Sequence, residues 1–127
     1  MLTARDSSPA QLDVRARKLH GQIARRAATE SLYRTGIDVR RAGTATHQLD
    51  VSIINWHVAS AGGRADVTAE IRIVLCDHQG KMLSIVNGKA TISGNDTRLA
   101  ELRQQAIAQG VGHLVARLGS QIARSSA

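Results

Sequence analysis

The sequence contains no phenylalanine and only one tryptophan, one tyrosine, one cysteine and one proline among its 127 residues. Without a set of aromatic side chains, the chain lacks the stacking platforms on which proteins bind single-stranded nucleic acids. A lone cysteine cannot form an internal disulfide bond, which excludes a disulfide-stabilised scaffold. No apolar run approaches the ~20 residues of a membrane-spanning helix. The core must therefore be built from leucine, isoleucine, valine and alanine.

The length of 127 residues is that of one domain that can bury a core without covalent cross-links. We expect a single domain over residues 1–127, ordered over residues 9–123, with flexible ends at residues 1–7 and 124–127. The first residues lack the apolar stretch of a signal peptide. This fits either a cytoplasmic protein or an envelope protein whose targeting segment has been removed.

The charge balance is basic, with 17 lysine and arginine residues against 10 aspartate and glutamate residues, a net charge of +7. Arginine rather than lysine supplies most of this excess, and the excess is concentrated in the first and last thirds of the sequence. Such a balance favours anionic partners.

An amphipathic helix is predicted near each end of the chain. Ser8 and Pro9 fit the N-cap and the first position of a helix over residues 9–34, and Gly36 fits its C-cap. Leucine, isoleucine and alanine then recur every three or four residues on one face. A second pattern of this kind predicts a helix over residues 97–123. Its internal glycines imply a close approach to the neighbouring layer.

Three long strands are predicted between the helices, at about residues 47–60, 64–76 and 81–93. In the middle strand apolar residues alternate strictly with polar ones, so one face is buried and the other is wet. In the first strand the apolar phase shifts near Ile53, which indicates a β-bulge. A short extended segment at residues 37–41 is a candidate fourth strand.

This element order predicts an α+β fold. We expect a two-layer sandwich in which an antiparallel β-meander of three long strands, with a short fourth strand as an option, carries both helices on one face.

The stretch Cys76-Asp77-His78 places the single cysteine beside an acid and a histidine. A nucleophilic cysteine needs a base held close to it, but neighbouring strand residues point to opposite faces. Asp77 followed by Gly80 fits a β-turn in which the aspartate oxygen accepts backbone hydrogen bonds. We therefore interpret the stretch as the turn of a hairpin.

The remaining polar residues form no catalytic or metal-binding motif. No two histidines have the four-residue spacing of a helical metal pair, and a site joining His47 to His57 has no ligand motif to support it. No nucleophile or pair of carboxylates has catalytic spacing. We expect no enzymatic activity, no metal and no cofactor.

The basic residues of the first helix are the strongest electrostatic feature. Four of them form the candidate anion-binding site: Arg15, Lys18, Arg25 and Arg26. The alternative is that they form a solvated helix face without a partner. The strand edges, or the wet sheet face with Thr68, Glu70 and Arg72, are a second candidate surface for protein contact.

The chain resembles the periplasmic domains of small bacterial outer-membrane lipoproteins of the lipopolysaccharide-assembly type. The resemblance is carried by the long strands, by the hairpin turn with Asp77, Gly80 and Lys81, and by the closing helix. It implies a non-enzymatic accessory or protein-interaction domain in the periplasm or at the outer membrane. Its partner would be an envelope protein or an anionic glycolipid. No site residue follows from the resemblance.

A nucleic-acid-binding module is the alternative function. Helix, three antiparallel strands and helix is also the order of a double-stranded-RNA-binding domain, and the basic charge suits RNA. In that family a lysine cluster at the start of the second helix contacts phosphates. Here the corresponding residues, Asn95 to Leu102, contain one arginine and two acids.

Overall fold

The computed structural model describes residues 2–35 and 47–125, and residues 122–125 only as helix backbone. The elements in chain order are strand β1 (Leu2–Asp6), helix α1 (Val14–Leu32), strands β2 (His47–Ala61), β3 (Arg64–Asp77) and β4 (Met82–Asn95), a 3₁₀ turn (Asp96–Arg98) and helix α2 (Leu99–Ser125). The strands form one sheet in the order β1-β2-β3-β4, and both helices pack on it. The predicted α+β architecture is confirmed.

The buried face of the sheet follows the alternation seen in the sequence. In β3 the inward-facing residues are at most 1% exposed: Ala65, Val67, Ala69, Ile71, Ile73 and Leu75. They pack against the buried residues of α2, including Ile107, Val111 and Leu118. This period-two pattern fixes which face of β3 meets the helices.

The first two long strands are joined by a tight connection. β2 and β3 are linked through Gly62 and Gly63, which have positive φ angles of 60° and 81°. The register between these strands shifts between Ile53 and Asn55, so the predicted bulge is confirmed. After the shift Trp56 points inward and pairs with Ala69.

The first residues of the chain, predicted to be a flexible end, form a strand. Leu2–Asp6 form β1, which pairs in parallel with Leu49–Ile53 of β2 and makes the sheet mixed. Leu2 and Asp6 are buried. Five residues carry too weak a periodic signal to predict a strand, and the pairing joins segments more than forty residues apart. The segment proposed as the fourth strand, residues 37–41, lies outside the described residues, as does Gly36.

Helix α1 begins later than predicted. Its N-cap is Asp13, whose Oδ1 accepts a hydrogen bond from the Ala16 amide at 2.7 Å. Ser8, the predicted cap, instead donates its amide and hydroxyl hydrogens to Asp6. The predicted helix start at Ser8 and Pro9 is therefore wrong, because Ser8 bonds to the Asp6 carboxylate of the preceding strand.

Glycines allow α2 to approach its neighbours closely. A Cβ atom at Gly110 would lie 2.6 Å from Ile71 Cδ1 and 3.2 Å from the Ala90 Cβ, so α2 meets the sheet at this glycine. Gly119 faces Thr35, where a Cβ would lie 2.7 Å from the threonine Cγ2. The expected close approach thus involves both the sheet and the end of α1.

Candidate functional site

The stretch around Cys76 is a hairpin turn, as predicted. Asp77 Oδ1 accepts hydrogen bonds from the amides of Gln79 and Lys81, each at 2.9 Å, and Gly80 has a φ of 84°. The amide of Lys81 first, and then that of Gln79, hold the pKa of the Asp77 carboxyl below its ordinary value. Through its Oδ1 atom, Asp77 thus shapes the turn.

The four basic residues predicted as an anion-binding site lie together on the outer face of α1, which we call the basic face. Arg15, Lys18, Arg25 and Arg26 are all exposed. At 3.6 residues per turn they fall within an arc of about 100°. α1 contains one acidic residue, Glu30, close to its C-terminal end. The positive charges are therefore not neutralised within the helix.

One residue of the basic face is held in place by the strand beneath it. Arg25 Nη1 donates to the carbonyl oxygen of Leu2 at 3.1 Å. A fifth basic residue of α1, Arg17, points away from this face and donates to the carbonyl oxygens of Asp6 and Ala10, at 3.1 and 2.7 Å. Arg17 therefore anchors α1 to the first segment of the chain and is not part of the basic face.

A buried polar cluster joins β1, α1 and β2. The Asp6 side chain is 0% exposed. Its Oδ2 accepts hydrogen bonds from His20 Nδ1 at 2.8 Å and Trp56 Nε1 at 3.1 Å. Its Oδ1 accepts from the Ser8 hydroxyl at 2.6 Å and the Ser8 amide at 3.0 Å. We call these four residues the Asp6 cluster.

The hydrogen bonds decide the charge of Asp6. Burial alone raises the pKa of this carboxyl, but the bonds from His20, Ser8 and Trp56 outweigh burial and lower the pKa below its ordinary value. Asp6 is therefore an ionised acceptor with four hydrogen-bond donors around it, and the Arg17 Nη1 atom lies 3.6 Å from its Oδ1. The Ser8 hydroxyl donates to Asp6, and the bonds from His20 and Trp56 to the same carboxylate connect β1 to α1 and β2.

Sequence reasoning missed this cluster, since its members come from three segments of the chain. The nearest signal was Asp6 followed by Ser8, a spacing typical of a turn in which an aspartate accepts from the amide two residues later. That spacing predicts a local turn. It does not reveal that His20 and Trp56 approach the same carboxylate.

The outward face of the sheet carries cross-strand polar pairs. The hydroxyls of Thr68 and Thr91 lie 2.7 Å apart, and Arg72 Nε donates to Asn87 Oδ1 at 3.0 Å. His57 Nε2 lies 3.6 Å from Glu70 Oε2. All three residues named for protein contact in the sequence are thus on this face, but each is engaged with a neighbouring strand.

A shallow cleft of about 350 Å³ separates the end of α1 from α2. Its walls include Arg34 and three hydroxyl residues, Ser31, Thr35 and Ser120. The cleft is distinct from the basic face. Over residues 2–35 and 47–125, no three histidine, cysteine, aspartate or glutamate residues are grouped as a metal site requires.

Two further observations concern membranes and nucleic acids. Within the described part of the chain, no helix combines the length and apolarity needed to span a bilayer. At the start of α2, Arg98 Nη1 lies 3.7 Å from Glu101 Oε2. The arginine at the position where a double-stranded-RNA-binding domain contacts phosphates is therefore paired with an acid.

No protein-family model and no curated protein matches the sequence, but its fold occurs in solved structures. A protein described as a lipoprotein from Caulobacter crescentus is 14% identical, with 93% of this chain and 90% of that chain aligned and a TM-score of 0.63. A minor lipoprotein from Acinetobacter baumannii is 12% identical over 91% and 89% of the chains, with a TM-score of 0.60.

PelC from Paraburkholderia phytofirmans, which forms a dodecamer, is 18% identical over 87% of this chain and 83% of that chain, with a TM-score of 0.52. At such identities the similarity establishes a common fold. The chain shares its fold with proteins described as bacterial lipoproteins, and the comparison does not single out the lipopolysaccharide-assembly type.

Proposed function

We propose that this chain is a non-enzymatic accessory domain of the bacterial cell envelope that binds an anionic partner through the basic face of α1. The observation that carries the proposal is the clustering of Arg15, Lys18, Arg25 and Arg26 on one exposed helix face. The fold shared with bacterial lipoproteins supports a place in the periplasm or at the outer membrane.

The basic face has the properties of a docking surface for phosphate or carboxylate groups. Arginine presents a planar fork of donors that matches these groups, and three of the four residues are arginines. Leu19, which is 41% exposed, lies beside them on the same side of the helix. An exposed apolar side chain next to cations suits a partner that carries negative charge and also has acyl chains or other apolar groups.

Two anionic partners fit this surface. One is a glycolipid such as lipopolysaccharide, whose phosphates would lie against the guanidinium groups. The other is an acidic surface of an envelope protein. Both would give an affinity that falls with salt concentration, because exposed charges are screened within a Debye length of about 8 Å at physiological ionic strength.

The test compares two variants with the same net charge. One replaces Arg15, Lys18, Arg25 and Arg26 with alanine. The matched control replaces four exposed basic residues elsewhere with alanine: Arg64, Lys81, Arg98 and Arg117. Each variant lowers the net charge of +7 by four, to +3. Both are titrated with lipopolysaccharide and with double-stranded RNA at low and high salt, and amide chemical shifts identify the responding residues.

We expect lipopolysaccharide to shift the amides of α1 in the unmodified chain and in the control, and to bind the α1 variant at least about tenfold more weakly. Equal binding by the two variants would show that total charge, and not the basic face, is responsible. If RNA, and not lipopolysaccharide, shifts α1 and the start of α2, the envelope proposal is wrong and the nucleic-acid alternative is correct.

A further inference from the structure

The outer edge of β4 is long, and in the part of the chain that the structure describes it is unpaired. β4 is the last strand of the sheet, and no strand of the described residues pairs with its far side. Over Met82–Asn95 it contains one charged residue, Lys89, and no proline. Natural proteins usually protect edge strands by keeping them short or by placing several charges, prolines or bulges on them. β4 has 14 residues, and its register irregularity with β3 lies at its first residues, before Ser84. From Ser84 onward the strand has a regular register and one charged residue.

The hydrogen bonding shows which backbone groups of β4 are free to bind another strand. The amide of Asp96 donates to the carbonyl of Gly63 at 3.0 Å, which makes these two residues a hydrogen-bonded pair. In an antiparallel ladder such pairs alternate with pairs that do not exchange hydrogen bonds. Following the regular register back along β4, even-numbered residues bond to β3. The amides and carbonyls of odd-numbered residues, from Ile85 to Ser93, therefore point to the open edge.

Apolar side chains are exposed at the start of this edge. Met82, Leu83 and Ile85 are 56%, 52% and 46% exposed. The opposite side of the sheet differs, because β1 covers β2 up to Ile53 and leaves open only the second half of that strand. Among the described residues, β4 thus offers the longest unpaired strand edge and the larger group of exposed apolar residues.

We propose that a second copy of this chain pairs its β4 with this edge, antiparallel and about a two-fold axis at Gly88. The two sheets would form one continuous eight-stranded sheet. The inference is independent of the proposed function, since the basic face of α1 lies at the other end of the helical layer.

Charge and hydrogen-bond phase select the register. Odd residues must face odd residues, because only their amides and carbonyls are free. A two-fold axis at Lys89 would place two lysines directly opposite each other, which is destabilising. Of the other allowed registers, an axis at Gly88 gives the longest overlap. It sets Ile85 opposite Thr91 and Lys89 opposite Asn87, pairs without like charges.

The helices are compatible with this arrangement. α2 runs along β4, with Leu102 over Gly94 and Leu114 over Gly88, and meets β3 at Ile71. Its axis therefore lies between β3 and β4. In the dimer the two α2 helices would be two strand spacings apart, roughly 9–10 Å. This is the distance at which neighbouring helices normally pack, so a second copy fits beside the first without displacing its helix.

The test uses two substitutions at one position. Lys89→Pro removes one outward amide but no bond to β3, a change that edge strands tolerate. Lys89→Ala removes the charge and keeps the amide. Sedimentation equilibrium should give a concentration-dependent dimer for the unmodified chain and for Lys89→Ala, and a dimer at least about tenfold weaker for Lys89→Pro. Circular dichroism and thermal melting confirm that both variants are folded.

Amide hydrogen exchange then identifies the contact. As protein concentration rises, the amides of Ile85, Asn87, Lys89 and Thr91 should become protected, while those of the even-numbered residues from Val86 to Gly94 stay protected at all concentrations. A chain that remains monomeric overturns the proposal, and so does a dimer in which the odd-numbered amides of β4 continue to exchange rapidly. A dimer equally weakened by both substitutions would also contradict it, because the contact would then depend on the lysine charge.

Discussion

Replacing Asp6 with asparagine tests whether the Asp6 cluster stabilises the fold. Asparagine has nearly the same shape, but it puts an NH₂ group where one carboxylate oxygen stood. That group would face two donors, either His20 and Trp56 or the two donors of Ser8. The substitution therefore removes two hydrogen bonds to a charged acceptor in a site where water cannot replace them.

The magnitude follows from these contacts. A hydrogen bond to a charged group contributes about 1.5–3 kcal/mol, and a buried donor left without a partner is costly. We expect Asp6→Asn to lower the free energy of unfolding by about 3–5 kcal/mol. For a domain of this length that corresponds to a decrease in Tm of roughly 11–19 °C.

Urea unfolding followed by tryptophan fluorescence is the natural assay, since Trp56 is the single tryptophan and belongs to the cluster. Asp50→Asn is the matched control. Asp50 also connects β1 to β2, through Thr3 at 2.7 Å and Arg5 at 3.7 Å, but its side chain is 39% exposed. Exposed ion pairs contribute about 0–1 kcal/mol. A cost below about 1 kcal/mol for Asp6→Asn, or equal costs for the two variants, would refute the reasoning.

Three further predictions concern stability. The folded-state pKa of Asp6 is lowered from 3.8, so its contribution to stability is complete above the unfolded pKa and is lost as pH falls. The difference in free energy of unfolding between the unmodified chain and Asp6→Asn should therefore shrink below about pH 4, as urea titrations at several pH values would show. In thermal melts, Gly110→Ala should lower the free energy of unfolding by about 1–3 kcal/mol, because the added Cβ would press on Ile71. At Gly112 the nearest atom to an added Cβ is Ser31 Oγ at 3.3 Å, so Gly112→Ala should leave the stability unchanged or raise it by up to about 1 kcal/mol. Gly80→Ala should cost about 1–2 kcal/mol because of its positive φ of 84°, with no comparable loss for Gln79→Ala, whose φ is negative.

The sequence determined those features that depend on neighbours along the chain. Strict alternation in β3 fixed its buried face, because successive strand residues point to opposite sides. The turn at Asp77 and Gly80 was predictable because its bonds join residues at most four apart. The basic face of α1 was also predictable, since helical spacing alone brings Arg15, Lys18, Arg25 and Arg26 to one side.

Only the tertiary structure decided the secondary structure and the hydrogen-bond partners of the first residues. β1 exists because Leu2–Asp6 find a partner in Leu49–Ile53, and Ser8 leaves its predicted role as a helix cap because Asp6 binds it. His20 and Trp56, which belong to elements distant in sequence, donate the other hydrogen bonds to the Asp6 carboxylate. Such contacts leave no periodic signal, because a buried charge requires several donors that only the folded chain brings together.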